Sequence, residues 1–193
     1  FIGSEIRTLI HRFGINTIIE TGTWSGHTTR EFAKMGPQVW TIDSTFDHLF
    51  EEFGPQASLD LQALGVHPVL GDSAVILRQV IAIAKPPILF YLDAHGGGAN
   101  DSNVNPIKEE LDQIFEGTED IEAKPVIVIH DFFVPGKDFG HNGGDWGNGW
   151  EPLSYDLLKD RIYPIYPDGF RYHYNEEADG ATRGVIYVYP YNN

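Results

Sequence analysis

The hydrophobic pattern changes period along the chain. Ile6, Leu9, Ile10 and Phe13 recur at three- and four-residue spacing, which predicts a helix with Ser4 as N-cap and Gly14 as stop. The next run is shorter and β-branched. Thr17, Ile18 and Ile19 suit a buried parallel strand that ends at Glu20. After the loop Thr21-Gly22-Thr23-Trp24-Ser25-Gly26 the pattern turns helical over Arg30–Met35 and stops at Gly36-Pro37. Gln38–Asp43 predicts a second strand, followed by a helical stretch to Leu64 that is interrupted at Gly54-Pro55. A third strand over His67–Asp72 leads to an apolar helix over Ala74–Ala84, closed by Lys85-Pro86-Pro87. Ile88–Asp93 predicts a fourth strand and Pro125–Asp131 a fifth. Between them Asn105-Pro106 opens a helix that runs through Phe115. Val134–Trp150 is a loop rich in Gly, Asn, Asp and Trp, and a helix over Glu151–Ile162 follows. Two alternating runs, Phe170–Tyr174 and Val185–Tyr189, predict an antiparallel pair around Asp179-Gly180.

Five strands that alternate with helices, followed by a hairpin, predict an α/β fold. The expected sheet is mostly parallel with an antiparallel C-terminal edge and helices on both faces. No repeat, low-complexity segment or linker interrupts residues 1–193, so a single domain is expected. The carboxylates Glu20, Asp43, Asp72, Asp93 and Asp131 all fall at C-terminal strand ends, which share one edge of such a sheet.

That edge is where open α/β sheets bind ligands, and the Gly22–Gly26 loop is the best candidate for a ligand corner. A strand–loop–helix corner also occurs without any ligand. Glu20, two residues before the first glycine, suits a cationic or hydroxyl-bearing group and suits a bare phosphate poorly. The spacing is not G-x-G-x-x-G, and no Lys follows as in a P-loop. The corner therefore fits an adenosyl ligand without a pyrophosphate.

Composition narrows the picture further. A chain of 193 residues with 41% hydrophobic residues can bury a full core. Its formal net charge of −15 leaves no basic stripe to neutralise phosphates, so nucleic acid is not the expected partner. No apolar run is long enough to span a membrane, and no secretory signal is visible; the expected compartment is the cytoplasm. The sequence begins at Phe1 without an initiator Met, so an upstream segment is compatible with it. The absence of cysteine excludes disulfides and thiolate metal sites. The oligomeric state stays open, a homodimer included.

Glu20-Thr21-Gly22-Thr23-Trp24-Ser25-Gly26, followed by Val39-Trp40-Thr41-Ile42-Asp43-Ser44, resembles class I S-adenosylmethionine-dependent methyltransferases. Within them it is most similar to the macrocin O-methyltransferase group, which acts on sugar hydroxyls of natural products. The resemblance covers Asn16 to about Phe132, and the terminal hairpin agrees with it. It implies a Rossmann-like methyltransferase fold. It also implies that Glu20 and the loop Gly22, Thr23, Trp24, Ser25 and Gly26 hold the methionine part of S-adenosylmethionine. Asp43, with Ser44 beside it, would bind the ribose, Asp72 and Ser73 would lie against the adenine, and Asp93 would complete the cofactor set. As plain structure, Asp43 and Asp72 would be turn residues after strands.

In that group a Leu-Asp-x-Asp segment and an Asp-Asp pair form a magnesium site and supply a base. Here the corresponding segments read Leu92-Asp93-Ala94-His95 and His130-Asp131. The resemblance implies Asp93, His130 and Asp131 as ligands of a divalent metal, with His95 in place of the base carboxylate. Oxygen ligands suit Mg²⁺, while an imidazole also admits Mn²⁺, Fe²⁺ or Zn²⁺. His95 is then either the base or a further ligand. The expected partner is a small molecule with a hydroxyl acceptor, since a metal lowers the pKa of such a group and a histidine takes its proton. His11, His27, His48, His67 and His173 read as structural, and Trp146, Trp150 and His141 read as either acceptor contacts or loop residues. Two other functions compete. A metal-dependent hydrolase would use Asp93, His95, His130 and Asp131 without an adenosyl cofactor, and a non-catalytic domain would keep only the fold. A nicotinamide dehydrogenase is disfavoured by the missing G-x-G-x-x-G.

Overall fold

The structure is a computed structural model that describes residues 3–94, 105–139, 153–179 and 183–191. The strands are β1 (Thr17–Thr21), β2 (Gln38–Asp43), β3 (Val66–Leu70), β4 (Ile88–Leu92), β5 (Val126–His130), β6 (Phe170–Tyr174) and β7 (Val185–Pro190). The helices are α1 (Gly3–Phe13), α2 (His27–Ala33), α3 (Asp47–Phe53), α4 (Ala57–Ala63), α5 (Ser73–Ile81), α6 (Ile107–Thr118) and α7 (Tyr155–Ile165). The strands form one sheet in the order β3-β2-β1-β4-β5-β7-β6. β1 to β5 are mutually parallel, and β7 runs antiparallel to both β5 and β6.

The central strands are apolar on both faces because helices cover both. Ile18, Leu89, Tyr91 and Val128 face one layer with Ile6, Leu9, Phe32, Leu49 and Leu61 of α1 to α4. Ile19, Phe90, Leu92 and Ile127 face the other, with Leu77, Leu111, Ile114, Leu158 and Ile162 of α5 to α7. Alternate residues of one strand thus belong to opposite layers, as the period of two requires. A fully buried side chain of this size contributes about 1.5–3 kcal/mol, so the centre of the sheet is a rigid frame for whatever its edge carries.

Element boundaries differ from the sequence pattern where a polar side chain sets them. β3 stops at Leu70, short of Asp72, because Asp72 caps α5 by accepting the Ala74 N–H at 2.9 Å. α7 begins at Tyr155, behind the N-cap Ser154, and extends past Ile162 to Ile165; Glu151 lies outside the described residues. α6 runs beyond Phe115 to Thr118, whose hydroxyl donates to the Ile114 carbonyl at 2.7 Å. α2 starts at His27, earlier than the Arg30 that the pattern marks, and ends at Ala33. The break at Gly54-Pro55 separates α3 from α4 as expected. Among the described residues, no helix is long and apolar enough to cross a membrane.

Candidate functional site

The sheet order reverses direction at β1, which lies between β2 and β4, and the loop after β1 emerges at this switch point. Backbone bonds stitch the loop to both neighbours. Gly22 N–H donates to the Ile42 carbonyl at 2.8 Å, and Asp93 N–H donates to the Thr21 carbonyl at 3.0 Å. Gly22 has φ +82°, and a Cβ there would stand 2.3 Å from the Asp93 carbonyl oxygen. Only glycine meets both conditions, so the loop after β1 and the end of β4 lie against each other.

Asp43 fastens the loop from the β2 side. Its Oδ2 accepts the Trp24 N–H at 2.8 Å, and its Oδ1 accepts the Thr45 N–H at 3.1 Å. Each oxygen keeps a second lone pair for a ligand hydroxyl. Trp24 pays for this latch with a left-handed backbone, φ +45°, while the residue is 65% exposed and its ring lies against His48. Ser25 is half-buried and Ser44 exposed. Gly26, φ +74°, ends the loop as N-cap of α2, where a Cβ would meet Leu49 Cδ1 at 2.7 Å.

Glu20 stands inside the frame. It is fully buried, and its Oε2 accepts hydroxyl bonds from Thr29 of α2 and Thr41 of β2. Thr41 Oγ1 also lies 2.6 Å from Thr23 Oγ1, so one carboxyl ties β1, β2, α2 and the loop together. Burial pushes the Glu20 pKa up to about 8; the two threonines oppose that, and the nearby Asp93 and Asp43 carboxylates add to it. Its Oε1 is buried with no hydrogen-bond partner among the described residues. Asp72 is exposed at the head of α5, whereas Ser73 is buried and its carbonyl accepts from Gln113 of α6 at 3.0 Å. Ser73 therefore packs toward α6.

A second cluster lies beyond β4. His130 ends β5, and Asp131 follows it with a left-handed backbone, φ +54°. A non-glycine residue in that conformation is strained, and such strain gathers at functional sites. His130 Nδ1 is 3.3 Å from Asp93 Oδ1 and 3.3 Å from Asp131 Oδ1. Neither contact is a directed hydrogen bond, and Nδ1 is buried without one among the described residues. On the other side of the ring, Nε2 is 3.2 Å from Asp179 Oδ2. Arg183 Nη1 reaches Asp131 Oδ1 at 3.1 Å. Burial alone would lower the His130 pKa, but Asp93, Asp131 and Asp179 outweigh it and push it up to about 12. Burial likewise raises Asp179, and hydrogen bonds and nearby positive charge, those of His130 first, more than offset it, bringing Asp179 down to about 2.

This donor set fits a divalent cation. One ligand atom each from Asp93, His130 and Asp131 can be chosen so that all lie within 4.8 Å of one another. The carboxylates of Asp93, Asp131 and Asp179 surround the His130 ring, and the Arg183 guanidinium reaches Asp131. A buried nitrogen that faces two carboxylate oxygens without a directed bond needs a positive group between them, a proton or a metal.

Most of the residues singled out in the sequence thus meet on one edge: the Gly22–Gly26 loop, Glu20, Asp43, Asp93, His130 and Asp131. His95, His141, Trp146 and Trp150 lie outside the described residues. His67 stacks on Trp40 at 4.4 Å and His173 contacts Glu5 at 2.9 Å, both away from this edge. Thr29, Thr41, Asp179 and Arg183 carry no signal in the sequence pattern. The first two look like ordinary helix and strand residues, and the last two like turn residues of a hairpin.

No family model matches the chain, and no curated protein matches it. Solved structures do share its fold. The chain is similar to the O-methyltransferase TomG from Streptomyces achromogenes, solved in complex with SAM, at 15% identity over 97% of this chain and 78% of TomG, with a TM-score of 0.60. It is similar to the methyltransferase domain of bacterial CtHen1 at 10% identity over 97% of this chain and 96% of that one, with a TM-score of 0.59. An rRNA methylase from Streptococcus thermophilus matches at 13% identity over 94% of each chain, with a TM-score of 0.55. The architecture is therefore the Rossmann-like fold of methyltransferases, with a mostly parallel sheet and an antiparallel C-terminal hairpin.

Proposed function

We propose that the chain is an S-adenosylmethionine-dependent methyltransferase that transfers a methyl group to a small-molecule hydroxyl, of a sugar or another natural product, with help from a divalent cation. One observation carries this reading. The loop latched by Asp43 and the Asp93–His130–Asp131 cluster are adjacent, because Gly22 lies directly on the backbone of Asp93. A cofactor on the loop and an acceptor at the cluster would then meet over the end of β4.

In this reading the loop residues Gly22, Thr23, Trp24, Ser25 and Gly26 cradle the methionine part, and Asp43 with Ser44 holds the ribose. Glu20 supports the cradle from within, through Thr29 and Thr41. Asp72, exposed at the head of α5, borders the adenine, while the buried Ser73 contributes backbone only. Asp93, His130 and Asp131 would hold the cation, which when bound lowers the pKa of an acceptor hydroxyl and orients it. In the transfer the acceptor oxygen forms its bond to the methyl carbon as the sulfonium bond breaks. S-adenosylhomocysteine leaves, and the hydroxyl proton passes to a base, assigned here to His95. Mg²⁺ is compatible with the two carboxylates, and the imidazole extends the choice to Mn²⁺, Fe²⁺ or Zn²⁺.

TomG, an O-methyltransferase of the same fold, supports hydroxyl chemistry, whereas the rRNA methylase shows that the fold also serves RNA. The net charge of −15 favours a small acceptor over RNA. A hydrolase built on the Asp/His cluster leaves the Asp43 latch without a purpose. The test is calorimetry with S-adenosylmethionine, S-adenosylhomocysteine and NAD, followed by S-adenosylhomocysteine release against a panel of glycosides and catechols. Binding of the adenosyl ligands but not NAD is the expected result; a protein that binds none of them is not a methyltransferase of this kind.

A further inference from the structure

We propose that Asp179, in the connection between β6 and β7, is a positioning residue that fixes His130 so that its Nδ1 is presented to a cation between Asp93 and Asp131. This rests on the cation reading above and adds to it a residue far away in sequence. Three observations carry it. First, Asp179 Oδ2 lies 3.2 Å from His130 Nε2, within reach to accept the Nε2–H. A neutral imidazole that donates from Nε2 has its lone pair on Nδ1, the nitrogen 3.3 Å from both Asp93 and Asp131. A metal-ligating histidine commonly donates its other ring N–H to a carboxylate, which fixes the tautomer and the ring plane.

Second, the backbone positions of Asp179 and Arg183 are held by bonds other than those of the Asp179 carboxylate. Asp179 and Arg183 pair through their backbones, N–H to carbonyl at 2.9 and 2.8 Å. Asn175 braces the flanking backbone: its amide donates to the Glu177 and Arg183 carbonyls at 2.7 and 3.2 Å, and its side-chain oxygen accepts the Val185 N–H at 2.8 Å. Asp179 is buried, and its carboxylate lies 3.2 Å from His130 Nε2 on a backbone position that these bonds hold. Third, Arg183, paired with Asp179 through the backbone, reaches Asp131, so His130 at the end of β5 and the Asp131 that follows it are both contacted from this pair.

Positioning through His130 makes a prediction that a purely structural role does not. Mn²⁺ affinity is measured by calorimetry on the whole chain, without cofactor or acceptor, in four backgrounds: wild type, Asp179→Ala, His130→Asp and the double variant. Asp179→Ala should weaken Mn²⁺ binding about 10–100-fold when His130 is present. It should leave affinity unchanged, or raise it, in the His130→Asp background, where no imidazole needs orienting. Asp179→Asn, whose amide oxygen still accepts the Nε2–H, should keep most of the affinity. In ¹⁵N-histidine NMR, Zn²⁺ should shift Nδ1 of His130 while Nε2 stays protonated. Should Asp179→Ala fail to fold, the NMR of the wild type decides instead, since Zn²⁺ bound through Nε2, or an Nε2 that carries no proton, would overturn the role of Asp179. Equal weakening in both backgrounds, or none in either, would overturn the role of Asp179 and leave the cation reading intact. A wild-type protein that takes up no Mn²⁺ would overturn both, and S-adenosylmethionine calorimetry on the same sample reports separately on the cofactor corner.

Discussion

The backbone N–H of Trp24 and the carboxylate of Asp43 are joined at 2.8 Å, so the carboxylate at the end of β2 closes the loop that follows β1. Two residues nineteen positions apart are thereby one unit. The left-handed backbone of Trp24 turns its N–H toward β2, and Asp43 offsets the strain of that turn. Any ligand that uses the outer lone pairs of Asp43 binds to a carboxylate that is already oriented.

Asp43→Ala should therefore remove two things at once, a ligand contact and the latch. We expect S-adenosylmethionine affinity to fall by about 1–3 kcal/mol, the range for hydrogen bonds to a charged group. Asp43→Asn, which keeps an oxygen for the Trp24 N–H, should lose less. Calorimetry on the two variants checks the order, and equal losses would mean that the latch contributes nothing.

At Gly22 the close approach to β4 can be tested on its own. A Cβ there would meet the Asp93 carbonyl at 2.3 Å on a backbone with φ +82°, whereas at Gly14, with φ +59°, nothing lies within 4 Å. Gly22→Ala should thus destabilise the protein by several kcal/mol, clearly more than the ~1 kcal/mol of backbone strain expected at Gly14→Ala. Urea unfolding of both variants measures the difference. Comparable losses would show that the loop can move away from β4 at little cost.

Much of this edge is legible from sequence because it obeys periodicity. The runs Thr17–Glu20 and Ile88–Asp93 place Glu20 and Asp93 at strand ends, and the fold then brings those ends together. Asp72 is different: it sits at a predicted strand end, yet in three dimensions it caps α5. Strand-end and N-cap positions share the same residue types, so the pattern cannot separate them. The direction of Glu20 was equally hidden. Its inward turn depends on Thr29 and Thr41, which come from a helix and a neighbouring strand. Asp179 and Arg183 join the cluster only because β7 pairs with β5, a contact between partners as far apart in sequence as Ile127 and Val188.

Removing the metal should separate the two halves of the site. With Asp93, His130 and Asp131 as ligands, excess EDTA should abolish methyl transfer and leave S-adenosylmethionine affinity within about threefold. Re-addition of Mg²⁺ or Mn²⁺ should restore turnover. Full activity in EDTA would reduce the cluster to a charge network in which the proton on His130 supplies the positive group.

His95 has its own signature. As general base, His95→Ala should lower kcat about 10²–10⁴-fold with Mn²⁺ affinity unchanged. His95→Asp should recover part of the rate and move the acidic limb of the pH profile to lower pH, since a carboxyl titrates below an imidazole. Loss of Mn²⁺ binding in step with activity would instead make His95 a ligand.

Glu20 supplies the test of the buried frame. Its pKa is raised from the usual 4.5 to about 8, chiefly by burial. In the unfolded chain it loses its proton near the ordinary value, and in the folded protein it keeps the proton to much higher pH. Folding is therefore favoured by this group below about pH 4.5, and that contribution is lost as pH rises through about 8. Above both values the folded state must hold a buried carboxylate, supported only by Thr29 and Thr41. Glu20→Gln removes the titration and keeps the shape, with an amide oxygen for both threonines. The stability of the variant relative to wild type should then climb steadily from pH 5 to pH 8 and level off beyond it, with a total change on the order of a few kcal/mol. Urea unfolding across this range, plotted as the difference between the two proteins, reads the effect of Glu20 alone. A flat difference would place the Glu20 pKa near its unfolded value and give its carboxylate solvent or a cation as company.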